Sequence, residues 1–194
     1  RPMFSSGLRA DADDKCISLN TGHYSRLIYI LFYFRISEVV GDGDVEKQDL
    51  SKLVYLEATL KESMRLYPII HVVGRKLTEN VKITNYTLPA GSSVYVTLWA
   101  LHRSAAWGAD ATDYAPARWL HKDRLPRHAA AFAPFGMGKR SCIGKTYAMI
   151  AMKITLVHLI RNFRITSDIS KLKLKQDILM KPISGHEIYI ERRK

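Results

Sequence analysis

Cys142 stands in the stretch Phe135-Gly136-Met137-Gly138-Lys139-Arg140-Ser141-Cys142-Ile143-Gly144, immediately ahead of a long apolar segment. Gly136, Gly138 and Gly144 permit left-handed backbone or the close approach of a flat ligand, and they leave backbone N–H groups free to point at the sulfur. Lys139, Arg140 and the N-terminus of the following helix add positive potential, which favours thiolate over thiol. A thiolate held this way is a good axial ligand for haem iron and donates electron density that favours O–O cleavage. A cysteine can also be a small buried hydrophobe, but the glycines and the arginine favour the ligand. Two phosphate-binding readings fail on spacing. The P-loop has four residues between its first glycine and the Gly-Lys pair, whereas five separate Gly138 from Gly144-Lys145, and Pro134 disfavours the buried strand that should precede it. A dinucleotide fingerprint fails because Ser141 stands where its third glycine belongs.

The other residues suited to chemistry are charged. Glu62 and Arg65 lie three apart, on one helical face, and Arg118 can join them from a distant connection to make a carboxylate–guanidinium network. Glu57 and Lys61 read as an ordinary i,i+4 surface pair. The seven histidines have no metal-like spacing, and Cys16 and Cys142 are too few for a disulfide framework or a four-thiolate zinc site.

These groups need elements to hold them. Leu53, Leu56, Leu60 and Met64 recur at three- and four-residue steps from Asp49 until Pro68, which predicts an amphipathic helix. Val81 and Ile83, the Pro89-Ala90-Gly91 turn and the alternating run 94–99 predict short strands. Residues 100–142 form a long meandering connection. The segment 144–160 is apolar on nearly every face and is expected to be a buried helix. Ile178 to Met180 and Ile188 to Ile190, around Pro182 and Gly185, predict a terminal hairpin. Residues 1–36 stay unassigned: SSG, DADD and NTG are turn-like and periodicity is weak, although Leu27 to Phe34 reads as a core strand or helix segment. The class is α+β, mainly α.

The chain has 194 residues, 47% hydrophobic, enough for one good-sized domain. Its net charge of +12 favours acidic partners but does not by itself choose among nucleic acid, anionic lipid and protein. The longest unbroken apolar run, Leu27 to Phe34, is far short of the roughly 18–20 residues that span a bilayer. No signal-peptide layout, internal repeat or low-complexity tract is present.

Phe135 to Gly144 resembles the haem-binding signature of the cytochrome P-450 superfamily, F-x-x-G-x-x-x-C-x-G. Glu62-Ser63-Met64-Arg65 resembles its E-x-x-R and Pro116-Ala117-Arg118-Trp119 its P-x-R-[FW], in the family's order. The resemblance covers 37–194 and the family's C-terminal, proximal portion, incomplete as a domain, with wording closest to insect microsomal members. It implies a haem-thiolate monooxygenase that inserts one atom of O₂ into a small apolar substrate. Cys142 would ligate the iron of haem b (iron protoporphyrin IX), with no catalytic residue beyond it. Arg75 and Arg140 would bind the propionates, and Phe135 would lie against the ring in the loop shaped by Gly136, Gly138 and Gly144. Glu62, Arg65 and Arg118 would form a structural triad. Ile70 to Val73 would line the substrate side, and His102 would either reach a propionate or be satisfied within its loop. Lys139 and Lys145, with Arg140, would face an acidic electron-donor flavoprotein, an NADPH reductase.

The family's oxygen-activating A-G-x-[DE]-T stretch is absent between Arg1 and Leu60, which implies inactivity of this chain alone. The alternative is a catalytically silent haem-binding or interaction fragment. A nucleic-acid binder is disfavoured because the cations are dispersed rather than clustered with stacking aromatics. The endoplasmic reticulum membrane is the expected location of a full-length relative, with mitochondria left open and no anchor expected in this chain.

Overall fold

The computed structural model describes residues 33–185 and 187–193. The turn-like stretches near the N-terminus and most of the Leu27–Phe34 run lie outside these residues. The chain is helical over 33–40 (α1), and Ile36 is buried in the main apolar core. Two helices follow, Lys47–Lys52 (α2) and Val54–Leu66 (α3). Glu46 and Asp49 start α2 with a reciprocal capping box, the Glu46 amide donating to Asp49 Oδ2 at 3.2 Å. The single helix expected from Asp49 is instead broken at Leu53, whose backbone leaves helical geometry (φ −81°, ψ 57°) while its side chain stays buried. Leu50, Leu53 and Leu56 still face the same core.

After Pro68 the chain forms β1 (Val72–Lys76), β2 (Val81–Ile83), β3 (Tyr86–Leu88) and β4 (Ser93–Thr97). β1 pairs antiparallel with β4, Gly74 opposite Tyr95 and Arg75 opposite Val94, and β2 pairs with β3. The alternating run was expected to stay extended to Trp99. It stops at Thr97, because the Leu98 and Trp99 amides both turn onto the His71 carbonyl (2.8 and 3.4 Å) and start the short helix α4, Leu98–Leu101. The meander that follows is built of short 3-10 turns, including Pro116–Leu120, Ala129–Ala131 and Gly138–Arg140. Trp107, Trp119 and Phe132 pack at its centre, with Trp119 and Phe132 ring centroids 4.5 Å apart.

α5 (Lys145–Asn162) leads into β5 (Phe163–Thr166), which is followed by β6 (Leu174–Gln176), β7 (Met180–Pro182) and β8 (Tyr189–Arg192). The expected terminal hairpin is corrected. β7 pairs with β6, and β8 returns to the edge that β5 presents on leaving α5, with Ile165 opposite Ile190. The expectation of a buried α5 is corrected too: only Lys153, Val157 and Ile160 are buried, while Tyr147 is 78% exposed. Val157 and Ile160 join Ile36, Leu50, Leu53 and Leu56 in the core, so α1–α3 cover one face of α5, while the rest of the helix is only partly covered or exposed among the described residues. The class is mixed, helices with four two-stranded sheets among the described residues.

Candidate functional site

α3 carries Glu62 and Arg65 one turn apart, both fully buried. Glu62 Oε2 accepts from Arg65 Nε at 2.8 Å and Oε1 from Arg65 Nη2 at 2.8 Å, a fork-to-fork pair. Pro116 opens the 3-10 turn of the meander, its fixed φ suited to that position, and the turn aims Arg118 and Trp119 back at α3. Arg118 Nε then reaches Glu62 Oε1 at 3.0 Å, Trp119 Nε1 reaches Oε2 at 2.9 Å, and the Ala115 amide reaches Oε1 at 2.8 Å. Burial pushes the Glu62 carboxyl up, but the Arg65 guanidinium, the Ala115 amide and the Trp119 indole outweigh it and hold the group below the usual carboxylate range. Arg65 spends its remaining N–H groups on the carbonyls of His102 (2.8 Å), Ala111 and Asp113 (2.8 Å). Arg118 is neutralised a second time by Asp110, whose Oδ2 lies 3.1 Å from Nη2 and 3.0 Å from Arg124.

The cysteine loop follows the meander. Gly136 and Gly138 adopt left-handed backbone (φ +71° and +75°), a conformation costly for side-chain-bearing residues. Gly144 has a φ of −81°, outside the left-handed region, and a Cβ there would lie in ordinary contact with the Cys142 sulfur, 3.8 Å away. The Gly136 amide closes on the Ala133 carbonyl (2.9 Å), and the Cys142 amide on the Phe135 carbonyl (2.8 Å). The thiol of Cys142 is free and exposed.

The chain matches the Cytochrome P450 family model over residues 35–188. It belongs to the cytochrome P450 family. It is 37% identical to Cytochrome P450 4g15 of Drosophila melanogaster over 150 residues, 75% of this chain and 26% of that protein. It is 36% identical to Probable cytochrome P450 313a4 of Drosophila melanogaster over 79% of this chain and 32% of that protein. It is 32% identical to Cytochrome P450 4V2 of Rattus norvegicus, covering 77% of this chain and 29% of that protein. The chain thus spans between a quarter and a third of the length of these relatives.

Against this P450 assignment the structure brings Glu62, Arg65 and Arg118 into one contact network, with Cys142 on a separate exposed loop. Arg75 is exposed on β1, its Nη1 donating to the Gly74 carbonyl at 2.8 Å, and Arg140 is exposed in the 3-10 turn Gly138–Arg140. Neither arginine forms an ion pair with a carboxylate among the described residues. Lys139 and Lys145 are exposed, and so are Ile70 and Val72. His102 is fully buried, with a hydrogen-bond partner at each ring nitrogen.

A pocket of about 410 Å³ opens between α3, the Pro116–Leu120 turn, the loop and the start of α5, lined by Met64, Trp119, Phe135, Met149, Lys61 and Lys145 among others. Cys142, Arg75 and Arg140 do not line it, so this cavity is not the sulfur's own site. Glu57 is more than half of a surface pair. Its Oε1 takes Lys61 at 2.7 Å, but its Oε2 takes the buried Lys153 Nζ at 2.6 Å, and that amine also donates to the Leu50 carbonyl at 2.7 Å. Sequence reasoning passed over Lys153, though its signal is plain: it is the one charge between Lys145 and Arg161 in an otherwise apolar helix. It also passed over Tyr114, whose hydroxyl lies 3.0 Å from Ser63 Oγ and whose burial pushes it up to about 12.

Proposed function

We propose that this chain supplies the cysteine side of a haem-thiolate monooxygenase, with Cys142 as the iron ligand of haem b. The observation that carries the reading is the Cys142 loop itself. Among the described residues Cys142 is the one free cysteine, exposed after the left-handed Gly136 and Gly138 and two residues before Gly144, and Arg140, two residues before it, makes no ion pair among the described residues. An exposed cysteine with Arg140 two residues before it is a donor set that fits a dianionic porphyrin bound through its iron, and no cluster of His, Cys, Asp or Glu suited to a bare metal ion occurs among the described residues. Arg140 and Arg75 would hold the propionates, Phe135 would lie against the ring, and Gly136, Gly138 and Gly144 would let the loop approach it. When bound, the haem supplies the O₂ chemistry that places one oxygen atom into a small apolar substrate.

The chain's own part is to hold the sulfur in place. The Glu62–Arg65–Arg118 triad would keep the meander and the loop in register, and the Ile70 to Val73 segment, with Ile70 and Val72 exposed, would line the substrate side. Lys139, Arg140 and Lys145 form an exposed cationic edge suited to an acidic electron-donor flavoprotein. Residence at the endoplasmic reticulum membrane belongs to the same proposal, although no helix among the described residues is long and apolar enough to cross a membrane. The family-like part is proposed to run over 37–194, the C-terminal part of a P450 domain.

Haem added to the 194-residue chain, followed by reduction under carbon monoxide, tests this. The thiolate-type absorption band is expected for the wild-type chain and is lost in Cys142→Ala and Cys142→His, with helix content by circular dichroism little changed. A variant spectrum identical to wild type overturns the ligand assignment.

A further inference from the structure

His102 is fully buried, and nothing in the proposed reaction uses it. It follows α4 directly, its amide donating to the Leu98 carbonyl at 2.9 Å. Its ring bridges two segments remote in sequence. Nδ1 lies 3.2 Å from the carbonyl oxygen of Arg65, and Nε2 lies 3.0 Å from the amide nitrogen of Ala133. A carbonyl only accepts and an amide only donates, so the ring carries its one proton on Nδ1 and turns the Nε2 lone pair to Ala133. A doubly protonated ring would set a donor against a donor. Burial and the nearby Arg65 and Arg103 cations act against that state and outweigh the Arg65 carbonyl that favours it. The ring is packed against Phe132 with centroids 5.5 Å apart, and the His102 carbonyl accepts from Arg65 Nη1.

Ala133 is where this bridge meets the cysteine loop. Pro134 has no N–H, so the Ala133 amide is the backbone donor through which the chain just ahead of the loop is held. Its carbonyl accepts from the Gly136 amide, and the next hydrogen bond along, Cys142 amide to Phe135 carbonyl, fixes the residue that bears the sulfur. A continuous path of short contacts therefore runs from Glu62 through Arg65 and His102 to Ala133 and the loop.

We infer that His102 is a positioning residue for the Cys142 loop: a neutral Nδ1–H imidazole that fixes Ala133, and through it the turn bearing the sulfur, against the Glu62–Arg65–Arg118 core. The functional weight of this inference rests on Cys142 being the haem ligand; the wiring itself is measurable without haem. In the ¹⁵N-labelled wild-type chain at neutral pH, imidazole long-range ¹H–¹⁵N correlations are expected to give a protonated Nδ1 and an acceptor Nε2 for His102. The Ala133 amide is expected to exchange slowly with solvent.

His102→Phe keeps an aromatic ring but strands the buried Ala133 amide. Its exchange should quicken by roughly ten- to a hundredfold, with the Gly136 and Cys142 amides following. His102→Gln, which restores an acceptor, should recover a large part of the protection. In haem-loaded protein the Phe variant should convert from the thiolate-type to the thiol-type carbon monoxide spectrum faster than the Gln variant does. An Nε2-protonated ring in the wild-type chain overturns the inference even where the Phe variant does not fold. So does an Ala133 amide equally protected in wild type and His102→Phe. Cys142→Ala should leave the tautomer and the Ala133 protection intact, so loss of haem binding in that variant bears on the ligand and not on His102.

Discussion

Glu62→Gln is the sharpest test of the buried network, because it changes one oxygen to an amide and almost nothing in volume. The wild-type carboxylate accepts from five donors at 2.8–3.0 Å: Arg65 Nε and Nη2, Arg118 Nε, Trp119 Nε1 and the Ala115 amide. Whichever way the new amide is turned, its NH₂ replaces an acceptor that served at least two of them. Arg118 keeps Asp110 as a counter-charge, but Arg65 loses its only carboxylate partner among the described residues while fully buried. Removing one member of a buried ion pair costs about 3–5 kcal/mol, a large share of the roughly 5–15 kcal/mol that holds a typical domain together. With a urea slope of about 2 kcal/mol/M, the unfolding midpoint should fall by about 2 M. Tryptophan fluorescence is a suitable readout, since Trp107 and Trp119 pack beside the network. Arg35→Ala is the control: its 3.0 Å pair with Glu38 is 73% and 65% exposed, so its loss should cost well under about 1 kcal/mol. A Glu62→Gln midpoint no lower than that of the control would refute the reasoning.

Two further outcomes follow from buried ionisable groups. The His102 ring is depressed from 6.5 to about 4, so the unfolded chain takes up a proton between those values and the folded chain does not. The stability fully present above pH ~6.5 should therefore decline by about 3 kcal/mol on acidification to pH ~4, and urea midpoints across this window should flatten in His102→Phe; an unchanged slope would show that another group titrates. Glu62, also depressed, adds its own loss only at lower pH, as acid protonates the folded carboxyl. Lys153→Met keeps most of the unbranched apolar stem but removes the amine, leaving the Leu50 carbonyl without that donor and Glu57 with Lys61 alone. A loss of about 1–2 kcal/mol in thermal or urea unfolding is expected, and an equal or higher melting temperature would show that the buried amine is not stabilising.

Motifs read from sequence anticipated which residues meet, but not how the rest of the chain is arranged around them. Glu62 and Arg65 are legible because three-residue spacing on a helix puts them on one face, whatever that helix packs against. The partnership with Trp119, Ala115 and Asp110 was not legible, since it depends on where a turn of the meander falls in space. β1 was missed because Val72–Lys76 alternates poorly: Gly74 interrupts it, and both of its faces are partly exposed. The pairing of β8 with β5 was illegible because strand partners far apart in sequence are chosen by the edge left open at the end of α5. The even spread of apolar residues on α5 gave the correct element and the wrong burial. Hydropathy records what a surface is suited to pack against, and the neighbours among the described residues bury only one side of it.

The triad residues and His102 also answer a question that the meander raises. A connection of some forty residues without a regular sheet or long helix leaves many buried carbonyls with no ladder to satisfy them, and each unpaired group would be costly. Arg65 gives N–H groups to the carbonyls of His102, Ala111 and Asp113, and Arg118 to those of Trp107 and Asp110. The two guanidiniums thus do for this segment what a neighbouring strand does for a sheet, and Glu62 makes their burial tolerable by supplying the counter-charge. This is why Arg65, Arg118, His102 and Glu62 rank with Ile36 and Val157 among the largest fully buried side chains. A lysine at 65 has three donors to set against five acceptors and no planar fork to reach them, so charge alone does not meet the requirement at that position. The order of the meander, and with it the placement of the loop that carries Cys142, is therefore written in the donor count of two arginines as well as in the packing of Trp107, Trp119 and Phe132.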